Sequence, residues 1–215
     1  MIMKKIAFSI QLLLFTGVVI AQTYPEPEFT NEVCYLKKDS SYKVIRLEKE
    51  SSKMQTKNGF GSSETSYSID GEKSGMRINN GNNLSFIISS GSPGTTSSPK
   101  SDSAMRANGI DPSTIQQMGS MMDPANTITL YKTEPGKRER KIYLQKSGGG
   151  FLPGAHKQHS SDKYTFSVRK IRPGYLELVI DKPLPKGEYA FTMMNMMGGG
   201  AMDGSILLFA FAIDN

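Results

Sequence analysis

The sequence predicts a mainly β protein: an antiparallel β-sandwich, or a barrel-like relative of one, with one or two short helical turns in an insertion. Three observations carry that prediction. Apolar residues recur at every second position in short runs. Polar turn chemistry separates the runs about every eight to twelve residues. Most connections are too short for the helical crossovers that parallel strands need.

The elements follow in order. "NEVCYL" and "YKVIRLEK" flank the polar turn "KKDSS". In the second run Lys43, Ile45 and Leu47 share one parity, and Tyr42, Val44 and Arg46 the other, which is the period of a strand. "TSYSI" and "GMRI" flank "DGEKS", where Asp70-Gly71 signals a hairpin. "NNGNN" then leads into "LSFIIS", rich in β-forming residues.

Residues 89–126 differ. "SSGSPGTTSSPKSDS" has little apolar area to bury and reads as a flexible insertion. Within the insertion, Asp111 suits a helix N-cap and Pro112 the first helical position. Ile115, Met118 and Met122 then fall at helical spacing.

The last third is the clearest. "NTITLYKT" and "RKIYLQK" flank the Pro-Gly turn "EPGKRE", and "DKYTFSVRKI" and "GYLELVID" flank "RPG". Tyr164, Phe166 and Val168 alternate with Lys163, Thr165, Ser167 and Arg169, giving a strand with one wet face. "KPLPKGEYAF" and "SILLFAFAID" flank a methionine-rich tip. In the final run Leu207, Phe209, Phe211 and Ile213 alternate with Ile206, Leu208, Ala210 and Ala212. Both faces are apolar, so this is expected to be a central strand buried on both sides.

The N-terminus reads as a secretory leader. Lys4 and Lys5 precede an apolar run from Ile6 to Ile20, and Val19 and Ala21 supply small residues before a cut at Gln22. Residues 1–21 are therefore expected to be a signal peptide, and residues 22–215 a single β-sandwich domain with no transmembrane segment after cleavage. That places the protein in the periplasm or outside the cell. Cys34 is the one cysteine, so no internal disulfide forms and the fold must rest on burial. Cys34 sits between apolar neighbours and reads as a buried, inert thiol. The formal net charge is +6, and two of those charges leave with the leader. The mild excess that remains is not the dense basic patch of a nucleic-acid binder. Tryptophan, the commonest sugar-stacking side chain, is absent.

Three stretches offer candidate sites. Met193, Met194, Met196, Met197 and Met202 crowd around Gly198 to Gly200. Thioethers suit Cu(I), and His156 and His159 form an HxxH that could join them. A hairpin tip with flexible gap-filling side chains accounts for the same residues and is preferred. The stretch "KTEPGKRERKIYLQK" gathers Lys132, Lys137, Arg138, Arg140, Lys141 and Lys146 on one expected hairpin. It is either a contact for an anionic envelope surface or a charged strand edge that discourages sheet stacking. Glu177 shares a strand face with Tyr175 and Val179 and is the carboxylate most open to partial burial. No G-x-S-x-G, Walker A or H-E-x-x-H motif is present.

The phrases "YPEPEFTNEV", "DKYTFSVRKI" and "DKPLPKGEYAF" with "LLFAFAID" together resemble a group of uncharacterised exported bacterial proteins. The resemblance implies export and a β fold, and it assigns no activity and no functional residue. The expectation is an exported, non-catalytic β protein that binds or supports structure at the cell envelope. Its partner is expected to be an envelope protein or glycan, with no cofactor and no catalytic, cofactor-binding or metal residue assigned. The alternatives are a copper-handling protein using methionine and histidine, and a hydrolase using carboxylates.

Overall fold

The computed structural model describes residues 24–89, 127–149, 156–194 and 205–214. The expected helical turns at 111–122 lie outside them, as does nearly all of the insertion. The described chain is mainly strand, arranged as antiparallel sheets in a sandwich-like stack.

In chain order the strands are β1 (Val33–Lys38), β2 (Tyr42–Arg46), β3 (Glu48–Lys53), β4 (Gln55–Gly59), β5 (Ser62–Asp70), β6 (Arg77–Ile78), β7 (Ser85–Ser89) and β8 (Ile128–Lys132). They continue with β9 (Glu134–Pro135), β10 (Glu139–Gly149), β11 (His156–His159), β12 (Lys163–Tyr164), β13 (Phe166–Arg172), β14 (Tyr175–Ile180), β15 (Gly187–Met194) and β16 (Ser205–Ile213). The first sheet has the order β13-β14-β7-β1-β2. The middle sheet is β12-β8-β15-β16-β3, with β6 added beside β16. The third is β11-β10-β5-β4, with β9 beside β10. The first and middle sheets each mix strands from before and after the 89–126 insertion.

The middle sheet is buried on both faces. On one, Phe191, Phe209, Phe211 and Ile213 meet Val33, Phe86, Ile88 and Leu178 of the first sheet. Phe86 is the hub, with ring centroids 4.8 Å from Phe191 and 4.9 Å from Phe211. On the other face, Ala190, Ile206, Leu208 and Ala210 meet Ile69 and Ile142 of the third sheet. The double alternation in "ILLFAFAI" thus has a direct cause: β16 serves two cores at once.

Several turns behave as expected. β1–β2, β13–β14 and β15–β16 are antiparallel hairpins. Phe166 and Val168 pack on the core while Ser167 and Arg169 face water. Two turn expectations are corrected. Gly71 takes φ 81°, but the strands around it do not pair with each other. β6 instead runs parallel to β16, held by Ala212 N–H to Met76 O at 2.8 Å. Likewise the "EPGKRE" turn joins β9 to β10, not β8 to β10. β8 lies in the middle sheet against β15, so the chain changes layers at Thr133.

The crossing from middle to third sheet between β3 and β4 is stitched by side chains. β4 covers β5 only as far as Ser66. Beyond that point Ser52 Oγ accepts the Ser68 N–H at 3.1 Å, and the Glu50 carboxylate accepts the Asp70 N–H. These bonds satisfy edge donors that would otherwise face a partly dry seam.

Candidate functional site

The outward face of the third sheet gathers a row of charged side chains. Cross-strand register sets Lys57, Glu64, Lys146 and His159 in one row across β4, β5, β10 and β11. Cross-strand partners point to the same side of a sheet, so these four share a face. Tyr143 lies on it too, with Lys146 Nζ 4.5 Å from its ring centroid and Lys141 Nζ at 5.8 Å. Lys141 pairs with Glu64 at 2.7 Å and Glu139 at 3.3 Å. His159 Nε2 meets Glu134 Oε1. Beside this row a shallow open depression of about 690 Å³ is lined by Asp70, Glu134, Lys137, Arg138, Lys141 and Tyr143 among others. Lys137 and Arg138 stand at its rim on the β9–β10 turn and make no ion pair among the described residues.

The structure therefore joins two of the sequence candidates on one sheet: the basic stretch and the strand bearing the HxxH. It also removes two members. Lys132 ends β8 in the middle sheet, paired with Tyr189 of β15. Arg140, grouped with the surface cations by sequence, is fully buried against the middle sheet. Its parity explains why: Arg140 and Ile142 point inward, while Glu139, Lys141 and Tyr143 point out. Arg140 Nε donates to Gly71 O at 3.1 Å, and Nη2 donates to Asp70 O at 2.9 Å and Glu48 Oε1 at 2.7 Å. Nη1 lies 3.6 Å from Glu188 Oε2. Glu48 and Glu188 in turn accept from Ser74. This is a clamp between layers.

The first sheet carries a second polar cluster on its outward face. Glu177 is fully buried there. Lys38 Nζ lies 2.5 Å from its Oε1, and Arg169 Nε donates to Oε2 at 2.8 Å. Tyr24 Oη donates to the same oxygen at 3.2 Å. What covers the site is residues 24–32, which cross the sheet as a strap. Tyr175 Oη donates to Pro25 O, Arg172 pairs with Glu26 at 2.6 Å, and Arg46 stacks 3.9 Å from the Phe29 ring centroid. Arg46 and Lys49 also hold buried Glu32, each at 2.8 Å. The strap is legible in "YPEPEF": each proline keeps the residue before it extended, and those residues, Tyr24 and Glu26, make the contacts. Without the strap Glu177 would be the half-wet strand residue that its sequence position suggests.

Burial alone would raise the Glu177 carboxyl, but hydrogen bonds from Lys38, Arg169 and Ser85 outweigh it and hold it below its ordinary value. Glu32 is held low in the same way by Arg46 and Lys49. Such groups add stability that is present above the unfolded carboxylate value of 4.5 and is lost as pH falls through the depressed folded values. The melting temperature should therefore drop as pH falls below about 4.5. A Glu177→Gln variant, less stable at neutral pH, should show a shallower acid loss in the same titration.

Cys34 shares this face with Leu36, Ile87 and Tyr175 and is 2% exposed. Burial pushes its thiol up to about 11, with Glu32 adding and Arg46 opposing. A thiol reagent at neutral pH should leave it unmodified in the folded protein and modify it fully in denaturant. Rapid labelling of the native state would refute its burial.

The methionine tip is described only at its root. Met193 is half-buried against the core between the first and middle sheets. Met196, Met197 and Met202 lie outside the described residues. Among the described residues no group of three or more His, Cys, Asp or Glu is placed to hold a metal ion. The sequence reading missed Phe60, the most exposed large apolar side chain among the described residues, at the turn between β4 and β5. "NGFG", an aromatic inside a glycine turn, was its available signal.

No family model, no curated protein and no solved structure matches the chain.

Proposed function

We propose that this is an exported, non-catalytic module of the cell envelope that binds through the outward face of its third sheet. The observation that carries the reading is how the polar residues are divided. Buried Glu32, Arg140 and Glu177 are each engaged by neighbouring side chains within the fold. Charged groups of both signs, with Lys137 and Arg138 exposed, line an open depression instead, whereas small-molecule and catalytic sites favour deep, largely apolar clefts. An open face with Lys137 and Arg138 at its rim suits an extended envelope partner, protein or acidic glycan, that meets it edge-on. Export rests on the leader-like residues 1–21.

The test uses tagged protein, residues 22–215, incubated with envelope extract from its host. One component should be recovered in constant ratio, and retention should fall about tenfold in the double variant Lys137→Glu, Arg138→Glu, because reversing rim charges opposes a complementary surface. Unchanged retention in that variant would remove this face from the account. Turnover of an envelope polymer by the purified protein would remove the non-catalytic assignment.

A further inference from the structure

The β4–β5 hairpin is built unlike the rest of the molecule. All five residues of β4 are exposed, so neither of its faces packs on a neighbouring layer. Gly59 pairs with Ser62, which leaves Phe60 and Gly61 as a two-residue turn. Gly61 supplies φ 72°, and a Cβ at Gly59 would come 2.8 Å from Ser62 Oγ. The backbone thus turns as tightly as it can and holds one large side chain at its apex. Phe60 has a relative exposure of 106%. Glycine, asparagine or aspartate would satisfy such a turn without wetting a phenyl ring.

Behind the ring three exposed charged side chains on the hairpin's face are lysines. Lys57 is on β4, Lys146 on β10 and Lys157 on β11, all exposed. Register sets Lys57 and Lys146 in the row of Glu64, and Lys157 in the row of Gly59 and Ser62, all on one face. Glu64, the acidic side chain in the row of Lys57 and Lys146, is already paired with Lys141 at 2.7 Å.

We infer that this hairpin is a membrane-docking tip: Phe60 enters the interfacial layer of an anionic lipid bilayer, and Lys57, Lys146 and Lys157 contact its phosphates. The spacing fits that layering. Lys57 lies three residues behind Phe60, about 10 Å along an extended strand, and apolar groups of interfacial binders sit about 5–10 Å into the headgroup boundary. Lysine ammonium groups reach forward on flexible stems to the phosphate level. The convex shape also discriminates. A single narrow apex with no hydrogen-bonding atom on its ring suits a soft planar layer better than it suits a glycan, which needs a platform with donors and acceptors. The inference rests on the envelope-binding reading and adds a second contact to it, apart from the rim at Lys137 and Arg138.

The test is co-sedimentation of residues 22–215 with vesicles of about 30% phosphatidylglycerol in phosphatidylcholine, against pure phosphatidylcholine. Circular dichroism checks the fold of each variant. Wild type should partition to the anionic vesicles and weaken as salt rises. Phe60→Ser should weaken partitioning about tenfold, and Lys57→Ser with Lys157→Ser by a similar factor. Both substitutions are at exposed positions and should leave the fold intact. Partitioning equal in wild type and Phe60→Ser would overturn the docking tip, as would no vesicle binding at all. If vesicles are ignored while Phe60→Ser abolishes recovery of a protein partner from envelope extract, the lipid assignment fails and the envelope-binding reading survives.

Discussion

Arg140→Ala is expected to lower folding stability by about 3–5 kcal/mol, as breaking a buried charge pair does. The guanidinium is fully buried and serves four acceptors or counter-charges at once: the carbonyls of Asp70 and Gly71, and the carboxylates of Glu48 and Glu188. Removing it strips Glu48 of its cation in the seam between the middle and third sheets, while Glu188 keeps Arg77 at 3.4 Å. Glu48 is 30% exposed and can recover some hydration, so the loss should fall toward the lower end. Arg140→Met separates the causes. It restores most of the volume and none of the hydrogen bonds, so a loss close to that of alanine would show that the charge network is what matters. Denaturant unfolding of the three proteins gives the comparison directly. A loss under about 1 kcal/mol for both variants would mean that Arg140 is not the interlayer clamp.

Phe211→Ala should cost about as much, roughly 3–5 kcal/mol. Its ring is fully buried between Phe86, Tyr189 and Phe191, with centroids at 4.9, 5.6 and 5.9 Å. Nearby backbone cannot collapse into the space without breaking sheet register, so a cavity remains. Leu208→Ala removes a side chain from the opposite face of the same strand, in the core shared with the third sheet. It should cost about 2–5 kcal/mol. The two positions are separated by the sheet itself and share no described core cluster. Their losses should therefore add in the double variant, within about 0.5 kcal/mol. Strong coupling would argue that the two cores are one.

How far the sequence could be read follows from what each signal depends on. Strand alternation is local, so "KYTFSVR" and "ILLFAFAI" disclosed their wet and dry faces without help from the rest of the chain. Strand partnership is not local. Asp70-Gly71 produces a turn whether or not its flanking strands pair, and here β6 is recruited by β16 from far along the chain. Arg140 was hidden for a related reason. In "KRERKIY" charge density marks a surface, and only the inward parity shared with Ile142 reveals that one of those cations is interior. Glu177 was half-visible: its face was readable, but its burial depends on Tyr24 and Pro25, about 150 residues away. The docking face was visible only in parts, because the row from Lys57 to His159 exists through register among four strands.

The middle sheet is covered on both faces, and the third sheet's outward side is left to the solvent. Native-state hydrogen exchange tests that arrangement most directly. The slowest amides should belong to β8, β15 and β16, exchanging only through global unfolding, while those of β4 and β11 exchange far faster. Fast exchange along β16, with protection confined to the first sheet, would contradict the three-layer stack and the surfaces inferred from it.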